Sequence, residues 1–361
     1  MGMLILPIVQ MRFNLFDYKS LDEARERATV PIVSVDRLAN DFKGLVSDFE
    51  TWFNDNYGFR DLLISLGTQI DYSIFRYSGK IHIGLEGFLY YRFVSDYDLF
   101  YNYLAYKENK VHAAYNRLMS ISDKIKKKGI RMVFIMSPLK PALYPEFLPK
   151  SAPFKEDLCY RDLNELLKNQ TEIIYIDVQE RLFALKERMP VFHRTDFHWT
   201  SPAAFLIAEE IVNAMGKASN MGERVWKHPL EIEHAVCSGG EARFIPLFSV
   251  PQENSIFVKK NWTENGTFDY TQKERYEFIY HSQEKESVLP TTVFLGNSFG
   301  DGFTDSGMYS YFKNYYRANT WYARLDTILD NLPEGTKFFI LQTIETVIPC
   351  LAMDECNTLS H

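Results

Sequence analysis

Four short, near-continuous apolar runs limit what this chain can fold into: Ile130 to Met136, Ile173 to Val178, Thr291 to Leu295 and Lys337 to Gln342. A strand with one wet face alternates apolar and polar residues, whereas a strand covered on both faces does not need to. Helical patterns lie around these runs: Tyr103 to Lys128, closed by Gly129, then 157–169, Ala203 to Met215 and 322–332. The order helix, strand, helix, strand, helix predicts a central, mostly parallel sheet with helices on both faces, an α/β fold. Residues 216–289 break that rhythm. They are rich in polar and aromatic residues, carry the turn signals Gly239-Gly240 and Asn265-Gly266, and are read as a β-rich insertion. Upstream, 18–40 is a polar lead-in. Residues 36–56 and Leu62 to Ile74 follow helical periodicity, and 79–91 reads as a hairpin. With 361 residues, 46% of them hydrophobic, there is enough chain for a sizeable core.

Charge narrows the function. The formal net charge is −7, so no global basic footprint for nucleic acid exists. The basic run Lys124 to Lys128 precedes a helix end, where it complements the helix dipole. The four cysteines have no metal-site spacing, and neither a metal nor a cofactor is expected. The 28 Phe, 22 Tyr and 5 Trp fill a core and also offer faces to sugars. The apolar stretch Met1 to Met11 is too short to span a bilayer, which takes ~20 residues. It reads either as the trailing end of a membrane anchor or as an ordinary buried segment.

Two stretches carry chemistry. In Arg194-Thr-Asp196-Phe-His198-Trp199-Thr-Ser201-Pro202 a carboxylate and an imidazole stand two residues apart, on one side of an extended segment. Asp196 could fix the ring's tautomer while His198 takes a proton. A structural pair, with the ring under Trp199, is the other reading. Ser201 suits a helix N-cap and Pro202 the first helical position. The second stretch, Gly296-Asn297-Ser298-Phe299-Gly300, follows a buried strand, at the strand end where open α/β sheets bind ligands. It is a nucleophile turn, a plain strand-to-loop turn or a phosphate cradle. No P-loop Lys-Ser/Thr follows. Asp196 and His198 precede Ser298, unlike the order in α/β-hydrolases.

These residues resemble those of SGNH hydrolases, and specifically the alginate O-acetyltransferase branch (AlgJ/AlgX type). Gly296 to Gly300 is similar to the Gly-Asp-Ser block, and Asp196-x-His198-Trp199 to that branch's upstream Asp-x-His. Phe53 to Arg60, Gly84 to Tyr90 and Pro138-Leu-Lys140-Pro-Ala-Leu-Tyr144-Pro145 resemble further family elements. Asn297 departs from the family's Asp, a change expected to perturb the turn rather than abolish chemistry.

The resemblance implies an SGNH-like three-layer α/β/α fold with permuted motif order and a β-rich insertion. It implies a domain plan of an anchor remnant over 1–17, a lead-in and hairpin over 18–110, and a catalytic domain over 111–361 with its insertion at 216–289. The catalytic residues would be Ser298, His198 and Asp196, with Lys140, Arg194 and Asn297 as substrate contacts. It also implies an extracytoplasmic, N-terminally anchored enzyme. That enzyme would take acetyl from a multi-pass membrane O-acyltransferase and place it on a secreted polysaccharide through a serine acyl-enzyme. An esterase of the same fold and a non-catalytic polysaccharide-binding scaffold are the alternatives.

Overall fold

The computed structural model describes residues 2–18, 20–21, 26–92, 110–150, 152, 158–222, 225–284 and 288–351. The chain divides into two compact units: Met1–Ser78 with Arg243–Val250, and Gly79–Ala242 with Pro251–His361. The first unit holds α1 (Gly2–Phe13), α2 (Val35–Asn40), α3 (Phe42–Asn56) and α4 (Arg60–Ile70). Asp61 ties it together, its carboxylate accepting from Arg27 at 2.6 Å and from the Leu21 amide at 3.1 Å. No helix among the described residues is long and apolar enough to cross a membrane. Ile5, Leu6 and Ile8 of α1 are exposed.

The second unit is built on a seven-stranded sheet. The small hairpin β1 (Ile81–Ile83) and β2 (Leu89–Tyr91) comes first, paired antiparallel as the Gly84 to Gly87 turn requires. Then come β3 (Arg131–Ser137), β4 (Ile174–Ile176), β5 (Ile232–Cys237), β6 (Glu253–Val258), β7 (Gly266–Asp269), β8 (Phe278–Ser282), β9 (Thr292–Gly296), β10 (Asn314–Asn319) and β11 (Phe338–Ile344). The sheet order is β4-β3-β11-β9-β10-β8-β7. The first five strands are parallel, and β8 and β7 continue antiparallel. The expected α/β architecture with a mostly parallel sheet is the one observed. Helices α5 (Lys110–Lys126) and α6 (Leu158–Lys168) pack together, and α5 lies against β3. Helices α7 (Val178–Lys186) and α8 (Ser201–Ala218) pack together on β3 and β4. Met132 to Met136 and Val293 to Leu295 have no exposure at all. Each such side chain contributes about 1.5–3 kcal/mol of burial.

Two readings are corrected, and one strand was not anticipated. Residues 266–282 are not part of a separate insertion but form β7 and β8, the antiparallel edge of the main sheet; only β5 and β6 pair on their own. Strand β10 has no apolar run to announce it, because Arg317 sits in its middle, fully buried. The N-cap of α8 is Thr200 rather than Ser201, because the Ser201 hydroxyl is spent on the Val258 amide at 2.9 Å. Pro202 still lies in the first turn, where its missing N–H costs nothing.

Candidate active site

Strand β9 ends at Gly296, and the chain turns at once into a short helical turn, Ser298–Gly300. The Asn297 side chain caps it: Oδ1 accepts from the Phe299 amide at 3.0 Å. An aspartate there would offer the same acceptor, so this turn is held with asparagine in its place. The Asn297 amide donates to Gln342 Oε1 at 3.0 Å, and its carbonyl accepts from Arg317 at 2.9 Å. Arg317 also reaches the Gly296 carbonyl at 3.0 Å and Asp301 at 2.9 Å. A fully buried guanidinium thus clamps the turn from beneath. Sequence reading missed both Arg317 and Gln342.

The turn presents Ser298 Oγ to His198 Nε2 at 2.8 Å. On the ring's other side, His198 Nδ1 lies 2.7 Å from Asp196 Oδ1. A carboxylate only accepts, so Nδ1 carries the proton of the neutral ring and Nε2 faces the hydroxyl with its lone pair. Asp196 does not lie on an extended segment. Its Oδ1 also accepts from the His198 amide at 2.9 Å, an Asx-type turn that brings carboxylate and ring together. Its Oδ2 accepts from the Gly240 amide at 2.5 Å. Burial works against the Asp196 charge, but the His198 bond and the two amides outweigh it and hold the carboxyl well below the usual range. Gly239, read only as a turn signal, must be glycine for a close approach: a Cβ there would come within 2.5 Å of Asp196 Cβ.

Trp199 does not cover the histidine. Its indole donates to the Phe299 carbonyl at 3.1 Å, tying the two motifs together, while the Phe197 ring packs on His198 with centroids 4.0 Å apart. Among the described residues no group accepts from the Ser298 amide, whereas the Phe299 and Gly300 amides are both taken by Asn297.

Of the three expected substrate contacts, Lys140 and Arg194 lie outside the cavity lining, while Asn297 stands beside Ser298 with its side chain committed to the turn. Lys140 is 1% exposed and ion-paired with Glu241, and its ammonium also donates to the carbonyls of His193, Arg194 and Asp196 at 3.3, 3.2 and 2.7 Å. It braces the Asp196 loop from behind. Burial pushes the Glu241 carboxyl up to about 7. Arg194 is exposed, with its guanidinium on the Glu86 carbonyl and over the Phe88 ring. The Asn297 side chain is 8% exposed and serves the turn. Removing one member of a buried pair strands the other, so Lys140→Met should lower stability by about 3–5 kcal/mol. Urea unfolding would show it, and Lys140→Met with Glu241→Leu should recover part of the loss.

Ser298 and His198 open into a cavity of about 680 Å³. The β5–β6 hairpin forms one wall, with Glu233, Ala235 and Cys237 at alternate positions of β5 and Phe257 and Val258 of β6. Among the described residues, His193, Cys237 and Glu253 bring possible ligand atoms within 4.8 Å of one another, a grouping that cysteine spacing does not reveal. Glu253 already accepts from the Arg194 and Thr195 amides at 2.9 and 2.7 Å, and His193 Nδ1 lies 2.7 Å from Ser255 Oγ. These bonds account for the group as a scaffold under the Asp196 loop.

A serine at the end of a parallel strand, joined to an upstream Asp-x-His pair, marks a hydrolase-like α/β protein of the SGNH kind. The profile described as "SGNH hydrolase-like domain, acetyltransferase AlgX" matches residues 83–304, more than half of the chain, and the chain belongs to that family. It is 27% identical over 204 residues to a probable alginate O-acetylase AlgJ of Pseudomonas syringae, covering 55% of this chain and 50% of that one. It is 26% identical over 254 residues to a probable alginate O-acetylase AlgJ of Pseudomonas fluorescens, covering 69% and 62%. The chain thus spans about half to three-fifths of the length of these relatives. Among solved structures, it is similar to the O-acetyltransferase domain of Pseudomonas putida AlgJ, with a TM-score of 0.47 and 15% identity over 74% of this chain and 92% of that one. Bacillus cereus PatB1 with a sulfonyl adduct gives 0.49 and 14% over 70% and 93%.

Proposed function

We propose that this chain is an O-acetyltransferase that moves acetyl groups onto the hydroxyls of a polysaccharide. The observation that carries the reading is the unbroken line Asp196–His198–Ser298, with contacts of 2.7 and 2.8 Å. His198 takes the Ser298 proton as Oγ attacks the acetyl carbonyl. The Ser298 amide stabilises the oxyanion. Collapse expels the donor's alcohol, which takes the proton back from His198, and leaves acetyl-Ser298. A sugar hydroxyl then gives its proton to His198 as it attacks the acyl carbon, and the departing Ser298 Oγ takes that proton back, leaving acetylated sugar and free enzyme. Asp196 holds the tautomer and balances the imidazolium charge at each step.

The names of the curated relatives support acetyl transfer to a polysaccharide acceptor. An extracytoplasmic location, an N-terminal tether and a membrane O-acyltransferase as donor belong to the same proposal. The exposed apolar face of α1 supports the tether.

The test uses 4-nitrophenyl acetate with and without oligosaccharide. Acetylated sugar, together with faster ester consumption when acceptor is present, is the expected result. Free acetate alone, at a rate the sugar does not change, would identify an esterase.

A further inference from the structure

We infer that the acceptor bound in this cavity is a glycan without carboxylates. The inference rests on the transfer reading above and adds the chemical class of the sugar. Among the described residues four carboxylates line the cavity, Asp196, Glu233, Asp301 and Asp305, and no lysine or arginine does. The two cations that sequence reading assigned to substrate are both elsewhere: Lys140 is sealed against Glu241, and Arg194 lies outside the lining.

Counter-charges cover only part of this wall. Asp196 is bonded to His198, and Asp301 is met from behind by Arg317 at 2.9 Å. Glu233 and Asp305 are exposed and form no ion pair among the described residues. Burial and the neighbouring Asp301 charge push the Asp305 carboxyl up, and Lys260 opposes them only from a distance, its ammonium engaged by Glu264 at 2.7 Å. His193, the remaining basic side chain of the lining, has its Nδ1 engaged by Ser255 Oγ at 2.7 Å. A polyuronate would bring one more carboxylate per sugar into this field, and like charges brought together are how a site rejects a partner. A neutral sugar meets no such repulsion: its hydroxyls can donate to Glu233 and Asp305, and its C–H faces can rest on Phe257 and Val258.

The experiment gives the full chain one β-glucan oligomer in three forms: unmodified, carboxylated, and carrying trimethylammonium groups. Polymannuronate oligomers form a fourth arm, and 4-nitrophenyl acetate is the donor. O-Acetylated product is read by mass spectrometry. Unmodified and trimethylammonium forms should give kcat/KM at least about tenfold above the carboxylated form, a gap that salt narrows. Glu233→Lys and Asp305→Lys, both at exposed positions, should each raise use of the carboxylated form. Carboxylated glucan or polymannuronate accepted as well as the unmodified form, at low salt, would overturn the acceptor assignment and leave the transfer reading standing. Ester consumption with no acetylated glycan in any arm would overturn the transfer reading and this one with it.

Discussion

Ser298→Ala is expected to reduce acetyl transfer on the order of a millionfold, while the protein keeps its fold. The size follows from how a coupled serine–histidine pair behaves: without the nucleophile, the base has nothing to activate. The fold is spared because Oγ bonds only His198, while the turn is held by Asn297, Gln342 and Arg317. What remains is the contribution of binding and of the oxyanion donor, on the order of 10³–10⁴ over water. His198→Ala should cost about as much, and the double variant little more than either, since the two residues act as a unit. Release of 4-nitrophenolate measures the rate, and intact mass after mixing with donor measures the acyl-enzyme. Thermal unfolding near the wild-type midpoint shows the fold intact. An Ala variant that still forms an acetyl adduct would remove Ser298 from the mechanism.

How much of this was legible in the sequence depended on what each element needs in order to form. Strands β3, β9 and β11 could be read because the centre of a parallel sheet tolerates little but apolar residues. Strand β10 could not, because its identity comes from its neighbours. Arg317 is allowed there by the Gly296 and Asn297 carbonyls and by Asp301, which lie up to 21 positions away. The pairing of His198 with Ser298 was legible from two local motifs and the rule that ligands gather at strand ends. The local route was not: the i, i+2 relation of Asp196 and His198 comes from an Asx turn. Lys140 was misread because a lysine in a sequence does not announce whether its charge meets solvent. Its partner, Glu241, stands 101 positions further on. The same holds for Gly240, whose amide completes the Asp196 site from a segment that sequence marked only as a turn.

Asp196→Asn should lower transfer by about 10⁴-fold, although the two side chains have the same shape. The carboxylate accepts three hydrogen bonds, from the His198 amide, His198 Nδ1 and the Gly240 amide. An amide offers one oxygen and one NH2. With the oxygen toward His198, the NH2 faces the Gly240 N–H, donor against donor. With the NH2 toward His198, Nδ1 must accept, the ring proton moves to Nε2, and the base has no lone pair for Ser298. Either orientation also removes the charge that balances the imidazolium. Stability carries a second signature with a definite sign. Burial disfavours the Asp196 charge, but the His198 bond and the amides depress its carboxyl pKa below the unfolded value. Such a group adds stability that is full above about pH 4, the ordinary carboxylate range, and is lost as pH falls below it. The gap in urea midpoint between wild type and Asp196→Asn should therefore be widest near neutral pH and narrow toward pH 3. A constant gap would mean that the asparagine disturbs packing rather than charge, and a variant with near-wild-type kcat would mean that His198 does not need Asp196 to hold its tautomer.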